Sequence, residues 1–199
     1  FFFKQKTAYE IPKRDWSSDV CSSDLPAFHP WLIAGVATYS LELLRAVKAI
    51  DVAYVPIGMG SGICGMVAAR DALGLKTEIV GVVSAHATAY FDSFHAKRVM
   101  EAPVTTQLAD GMACRLPDAA ALDMIWRGVD RIVKVGDDDI AHAMRVLFEC
   151  THNTCEGAGA AAIAAAMQER TRISGKRIAA VVSGGNVDAP VFASVLRSA

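Results

Sequence analysis

The stretch Tyr54-Val55-Pro56-Ile57-Gly58-Met59-Gly60-Ser61-Gly62-Ile63-Cys64-Gly65 decides the fold. An apolar run passes into four glycines and then into a helix-patterned stretch over 66–73. A strand that feeds a glycine loop at a helix start makes an anion site. Bare backbone N–H groups and the positive end of the helix dipole converge there, and missing Cβ atoms let a phosphate approach. A phosphorylated cofactor or ligand is therefore expected on Gly58 to Gly65.

Outward from this stretch, the pattern alternates. Helical spacing covers 30–47, with Leu41, Leu43 and Leu44 toward a core. Short apolar strands are expected at 52–57, 77–83, 131–135 and 177–182, bounded by polar and glycine-rich turns. Helices are expected at 66–73, 87–96, 117–127 (opening on Pro117), from the capping acids Asp137-Asp138-Asp139 to about Thr151, at 157–170 and at 189–197, with a loop over 104–114. The class is therefore α/β: a mainly parallel sheet flanked by helices on both faces, with ligands beyond the carboxyl ends of the strands. Two of those ends are polar and rich in glycine, 58–65 and Ser183-Gly184-Gly185-Asn186.

The 199 residues carry a formal net charge of −1 and are 53% hydrophobic, enough for one or two domains with a sizeable core. The balanced charge, without a basic block, points away from nucleic acid and anionic membrane surfaces, and no apolar run is long enough to span a bilayer. Residues 1–25 read differently. Phe3-Lys4-Gln5-Lys6-Thr7-Ala8-Tyr9-Glu10-Ile11 and Asp15-Trp16-Ser17-Ser18-Asp19-Val20-Cys21-Ser22-Ser23-Asp24-Leu25 match, in one frame, the translation of a short-read sequencing adapter. Residues 1–25 are therefore expected to be a non-native tail, with the native domain over 26–199. The remaining cysteines, Cys64, Cys114, Cys150 and Cys155, lack CxxC pairing, as expected of reduced thiols in a cytoplasmic protein. Cys150-Thr151-His152-Asn153-Thr154-Cys155-Glu156 lacks the usual zinc spacings and reads as a continuation of the preceding helix.

Two cofactors compete for the glycine loop. Gly60-Ser61-Gly62-Ile63-Cys64-Gly65 is a literal G-x-G-x-x-G after a strand, the dinucleotide fingerprint. That fingerprint also wants an acid at the end of the next strand, where this chain has Val82-Val83-Ser84; Glu78 lies at the wrong end. The second candidate is pyridoxal 5′-phosphate. Ile33-Ala34-Gly35-Val36-Ala37-Thr38, the loop 55–62, Leu108-Ala109-Asp110-Gly111, Glu156-Gly157-Ala158-Gly159-Ala160 and Val182-Ser183-Gly184-Gly185-Asn186-Val187-Asp188 follow one another in a telling order. In these motifs residues 26–199 resemble the carboxyl-terminal half of the pyridoxal-phosphate threonine/serine dehydratases. These belong to the tryptophan-synthase-β-like, fold type II group that also includes serine racemase.

The resemblance implies an incomplete large domain of a fold type II enzyme, with Gly58, Met59, Gly60, Ser61 and Gly62 cradling the cofactor phosphate through backbone N–H groups. Met59 and Ser61 stand where the family has glycines, which is tolerable only if those positions do not need φ > 0. Ser183 would face the pyridine nitrogen, and its neutral hydroxyl would leave a mild electron sink suited to β-elimination. Gly111 and Glu156 would line the pocket. Some members bind a divalent cation after the second strand; Asp92 fits one ligand but His86 replaces another, so no metal is expected. The family's cofactor-bearing lysine lies in an S-x-K-x-R-G-like segment. The native lysines 48, 76, 97, 134 and 176 sit in no such motif, so the chain is expected to lack that group and to be inactive alone. By resemblance the intact enzyme would be a homo-oligomeric ammonia-lyase acting on L-threonine or L-serine. Racemisation or hydroxyaspartate dehydration is the alternative.

Overall fold

The computed structural model describes residues 28–197; the adapter-like reading of 1–25 lies outside them. In chain order the elements are α1 (Pro30–Ala46), β1 (Val52–Pro56), α2 (Ser61–Ala72), β2 (Glu78–Ser84), α3 (Ala89–Ala96), a 3₁₀ turn (Asp110–Met112), α4 (Ala119–Gly128), β3 (Arg131–Val135), α5 (Asp137–Thr151), α6 (Gly157–Gln168), β4 (Ile178–Ala180) and α7 (Ala189–Arg197). All strand pairs are parallel, in the order β3-β2-β1-β4.

The central strands are buried almost throughout, as a sheet covered on both faces demands, and successive side chains alternate between two cores. Ala53, Val55, Ile57, Ile79, Val83 and Ile132 point into one core, packed under α1, α2, α3 and α4. Val52, Tyr54, Val80, Val82 and Val135 point into the other, under α5, α6 and α7. Nearly every residue of α6 is buried, which its alanines and glycines permit by close approach to the sheet.

The connections fix the position of the site. From β1 through β2 to β3 the chain steps one way along the sheet, with its helices on the first face. From β3 it returns past β2 and β1 to β4, with α5 and α6 on the second face. The direction reverses between β1 and β4. Beyond the carboxyl ends of those two strands lies the topological switch point, where open α/β sheets bind ligands.

Several boundaries differ from the sequence reading. Helix α2 begins at Ser61, inside the glycine loop, not at Met66. Gly65 is tolerated within it because a Cβ there would come 3.1 Å from the Ala37 Cα of the neighbouring helix. Pro117 does not open α4; the Asp118 carboxylate caps it, accepting from the N–H of Ala120 (2.8 Å) and Ala121 (3.0 Å). Gly136 is the N-cap of α5, so Asp137 to Asp139 act in its first turn without capping it. Asp137 instead accepts from the Thr106 hydroxyl and the Gln107 N–H, tying α5 to the loop before the 3₁₀ turn. Helix α5 ends at Thr151 as expected, with His152 in the left-handed region at φ 56°. Residues 152–156 therefore do not continue it, and Cys150 is exposed while Cys155 is buried. Among the described residues, no helix is long and apolar enough to cross a membrane.

Candidate cofactor site at the sheet switch point

A cleft of about 720 Å³ occupies the switch point. One wall is the loop 58–62 after β1; facing it are Val181, Val182 and Ser183 after β4. Helix α1 closes a side with Gly35, Val36, Thr38 and Tyr39, and Gly111, Met112 and Ala158 form the floor. The sequence reading singled out 33–38 as a motif but not as a wall of the site.

The loop is shaped for an anion. Within α2 the first ladder bond runs from Cys64 N–H to Gly60 O at 3.1 Å. The N–H groups of Ser61, Gly62 and Ile63 precede that bond, and no side chain caps this end. Gly60, the N-cap, sits at φ 98°, the only positive φ in the loop. Met59 and Ser61 thus occupy ordinary backbone conformations, and their replacement of glycine leaves backbone donation intact. At Gly58 a Cβ would come 2.5 Å from the Gly111 carbonyl oxygen, so the loop lies directly on the 3₁₀ turn. Two tyrosine hydroxyls tie the loop back. Tyr39 donates to Gly62 O (3.2 Å), and Tyr90 to Met59 O (2.8 Å). Neither was legible locally, because each reaches the loop from a helix distant in sequence.

The cleft thus unites Gly58, Met59, Gly60, Ser61, Gly62, Gly111 and Ser183. Glu156 stands behind it. Its backbone N–H donates to Gly184 O (3.1 Å), its carboxylate accepts from the Asn186 N–H, and a Cβ on Gly184 would lie 2.6 Å from its Oε1. Glu156 buttresses the 183–186 segment. Its carboxyl pKa is raised by burial and by Asp110, against the lowering effect of the Asn186 bond. An acid whose folded pKa lies above its unfolded value contributes most stability when protonated and loses it as pH rises. Glu156→Gln is therefore expected to raise the melting temperature at pH 7, with the difference vanishing below about pH 4, where free carboxylates protonate. Thermal melts across that range check this.

The residues fit a phosphorylated, ring-bearing group. The anion loop lies at one end, apolar Val36 and Val182 lie along the walls over Met112 on the floor, and Ser183 lies opposite the loop. A second hollow of about 360 Å³ at the other end of the strands offers no such array. There the Thr77 hydroxyl is spent on Ile50 O (2.8 Å) and the Asp51 carboxylate on Arg177 N–H (2.7 Å). Nor does β2 supply a ribose-binding acid, since Glu78 pairs with Arg131 and Lys176 at its amino end. Asp92 accepts from the Thr88 hydroxyl (2.7 Å), and among the described residues no three His, Cys, Asp or Glu side chains cluster to hold a metal.

Comparison with known proteins agrees. The L-threonine ammonia-lyase of Geobacter sulfurreducens is 36% identical over 172 residues, covering 86% of this chain and 42% of that protein. The L-threonine ammonia-lyase of Thermotoga maritima is 31% identical over 163 residues, covering 82% and 40%. Among solved structures, the processed form of threonine deaminase isoform 2 from Solanum lycopersicum superposes with a TM-score of 0.80 at 29% identity, covering 86% of this chain and 48% of that one. Maize serine racemase gives 0.78 at 30% identity, covering 85% and 53%. The chain thus spans less than half the length of these two ammonia-lyases. Residues 20–184 match the family model described as pyridoxal-phosphate dependent enzyme, and with the anion loop, the facing serine and the fold in agreement, the chain belongs to that family.

Proposed function

We propose that this chain is the cofactor-cradling part of a threonine/serine dehydratase, which converts L-threonine or L-serine to a 2-oxo acid and ammonia. The observation that carries this is the cleft at the switch point, where the helix-start loop 58–62 faces Ser183. The relatives named L-threonine ammonia-lyase, at 31% and 36% identity, support the substrate class.

In this reading the backbone N–H groups of Gly58, Met59, Gly60, Ser61 and Gly62 hold the phosphate of pyridoxal 5′-phosphate, aided by the α2 dipole. Ser183 would partner the ring nitrogen, and Gly111 would leave room above the floor. When bound, the cofactor supplies an electron sink for the electrons left at the substrate Cα. The Ser183 hydroxyl, as a neutral partner, would leave that sink mild, a setting suited to β-elimination.

Among the described residues lining the cleft there is no lysine. These walls hold and orient but carry no group to anchor the cofactor covalently or move the α-proton. The 199-residue chain with added pyridoxal 5′-phosphate is therefore expected to release no 2-oxobutanoate from L-threonine; turnover would contradict this. Ser183→Ala is expected to weaken pyridoxamine 5′-phosphate binding about three- to tenfold, the size of one hydrogen bond, and leave inorganic phosphate binding unchanged. Pyridoxamine 5′-phosphate has no aldehyde to react with surface lysines, so equilibrium dialysis reports the cradle alone.

The racemase reading draws on the likeness to maize serine racemase. A protein from the same locus that includes an S-x-K-x-R-G-like segment separates the two, by yielding pyruvate or D-serine from L-serine.

A further inference from the structure

We propose that Tyr90 is a positioning residue for the phosphate loop, one that holds the Met59–Gly60 peptide in its anion-binding orientation from the buried side. The inference rests on the reading of 58–62 as the phosphate cradle and adds to it the element that sets the loop's polarity.

The Tyr90 ring is fully buried on α3, and its hydroxyl stands between two backbone groups. It accepts from the Asp118 N–H at the start of α4 (3.3 Å) and donates to the Met59 carbonyl (2.8 Å). A phenol has one proton to give, and the incoming Asp118 bond directs it to Met59. Burial, followed by the neighbouring Cys114, pushes the phenol pKa upward, so the hydroxyl remains a donor.

The consequence follows from the planar trans peptide, in which C=O and N–H point in opposite directions. With the Met59 carbonyl fixed inward on Tyr90, the Gly60 N–H of the same peptide points away from it, on the side of the cleft that Gly60 lines. The alternative is a peptide flip, which would carry Gly60 from φ 98° to the negative side and present the Met59 carbonyl to the cleft. Glycine occupies both states readily. A carbonyl oxygen in that position repels a phosphate. The Tyr90 hydroxyl bonds one state and not the other, so the Asp118–Tyr90–Met59 relay selects the anion-binding loop.

The test compares the 199-residue chain with Tyr90→Phe and with Tyr54→Phe. Among the described residues Tyr54 is the other fully buried tyrosine, and its hydroxyl serves Glu169, away from the cleft. Affinities for pyridoxamine 5′-phosphate and for unphosphorylated pyridoxamine are measured by equilibrium dialysis. Tyr90→Phe should lose about tenfold for the phosphorylated ligand only, as one hydrogen bond would give. Tyr54→Phe should lower the melting temperature without changing either affinity. A Tyr90→Phe protein that binds as tightly as the parent, or an equal loss in Tyr54→Phe, overturns the proposal and leaves the site reading standing. A parent chain that does not prefer the phosphorylated ligand overturns the site reading and the proposal with it. Should Tyr90→Phe not fold, 3-fluorotyrosine at position 90 keeps ring and hydroxyl. Its fluorine resonance should shift on adding pyridoxamine 5′-phosphate, and an unmoved resonance overturns the proposal.

Discussion

Gly60→Ala is expected to lower the affinity for pyridoxamine 5′-phosphate at least tenfold and to destabilise the fold by about 2–3 kcal/mol. Two separate costs add. An L-residue in the left-handed region loses about 1–2 kcal/mol, and Gly60 is at φ 98°. The new Cβ would also stand 2.9 Å from the Ala121 Cβ and 3.0 Å from the Tyr90 hydroxyl. Relief by the peptide flip restores ordinary backbone but turns the Met59 carbonyl toward the ligand, so stability recovered is affinity lost. Gly62→Ala is the internal control. Its Cβ would meet only the Tyr39 hydroxyl, at 3.5 Å, within the first turn of a helix. That variant should be neutral or slightly more stable, since alanine exceeds glycine in helix propensity by about 1 kcal/mol. Denaturant melts on both variants check the contrast in stability, and dialysis on Gly60→Ala checks the affinity. Equal losses at the two positions would argue against a loop whose geometry hinges on Gly60.

Arg131→Ala is expected to destabilise by about 3 kcal/mol, with no direct effect on the cleft. Arg131 opens β3, where its guanidinium pairs with Glu78 of β2 and, through Nε at 3.0 Å, with Glu169 at the end of α6. The Tyr54 hydroxyl donates to the same Glu169 carboxylate at 2.7 Å. The three charged side chains are 13–24% exposed, so solvent screens them only in part. Removing the cation takes from Glu169 its bidentate partner, while Lys176 stays on Glu78, and breaking a buried pair costs about 3–5 kcal/mol. Burial alone would raise the Glu169 pKa, but the bonds from Arg131 and Tyr54 outweigh it and hold the carboxyl below its ordinary value. A depressed acid contributes stability above its unfolded pKa, about 4.3, and loses it as pH falls through the lower folded value. The gap between parent and Arg131→Ala should therefore be full at pH 7 and narrow below about pH 4. A gap independent of pH would mean that packing, not the ion pairs, sets the loss.

Sequence and structure agree where local chemistry and tertiary demand coincide. The continuous apolar runs of β1 and β2, proline at the start of α1, and the polar segment after the last strand all carried their own signals. The start of α2 did not, because Gly62 and Gly65 weigh against a helix by propensity, while contact with Ala37 of α1 requires a small residue there. The acids 137–139 look like caps, but the Asp137 carboxylate goes to Thr106 and Gln107 across the chain. The cleft brings together the loop, legible from glycines that follow an apolar run, and Ser183, which the family resemblance singled out. The tyrosine struts were not legible, since a hydroxyl that crosses from α1 or α3 to a loop carbonyl leaves no local pattern. The role of Glu156 behind Gly184, not in the cleft, likewise depends on how α6 docks against the segment after β4.

Phosphate binding by the loop 58–62 at the switch point is tested by titrating the ¹⁵N-glycine-labelled 199-residue chain with pyridoxamine 5′-phosphate, followed by amide NMR. Saturable shifts are expected at Gly58, Gly60 and Gly62, larger than those caused by unphosphorylated pyridoxamine. Shifts confined to Gly74 and Gly175, or no preference for the phosphorylated ligand, would contradict phosphate binding by this loop.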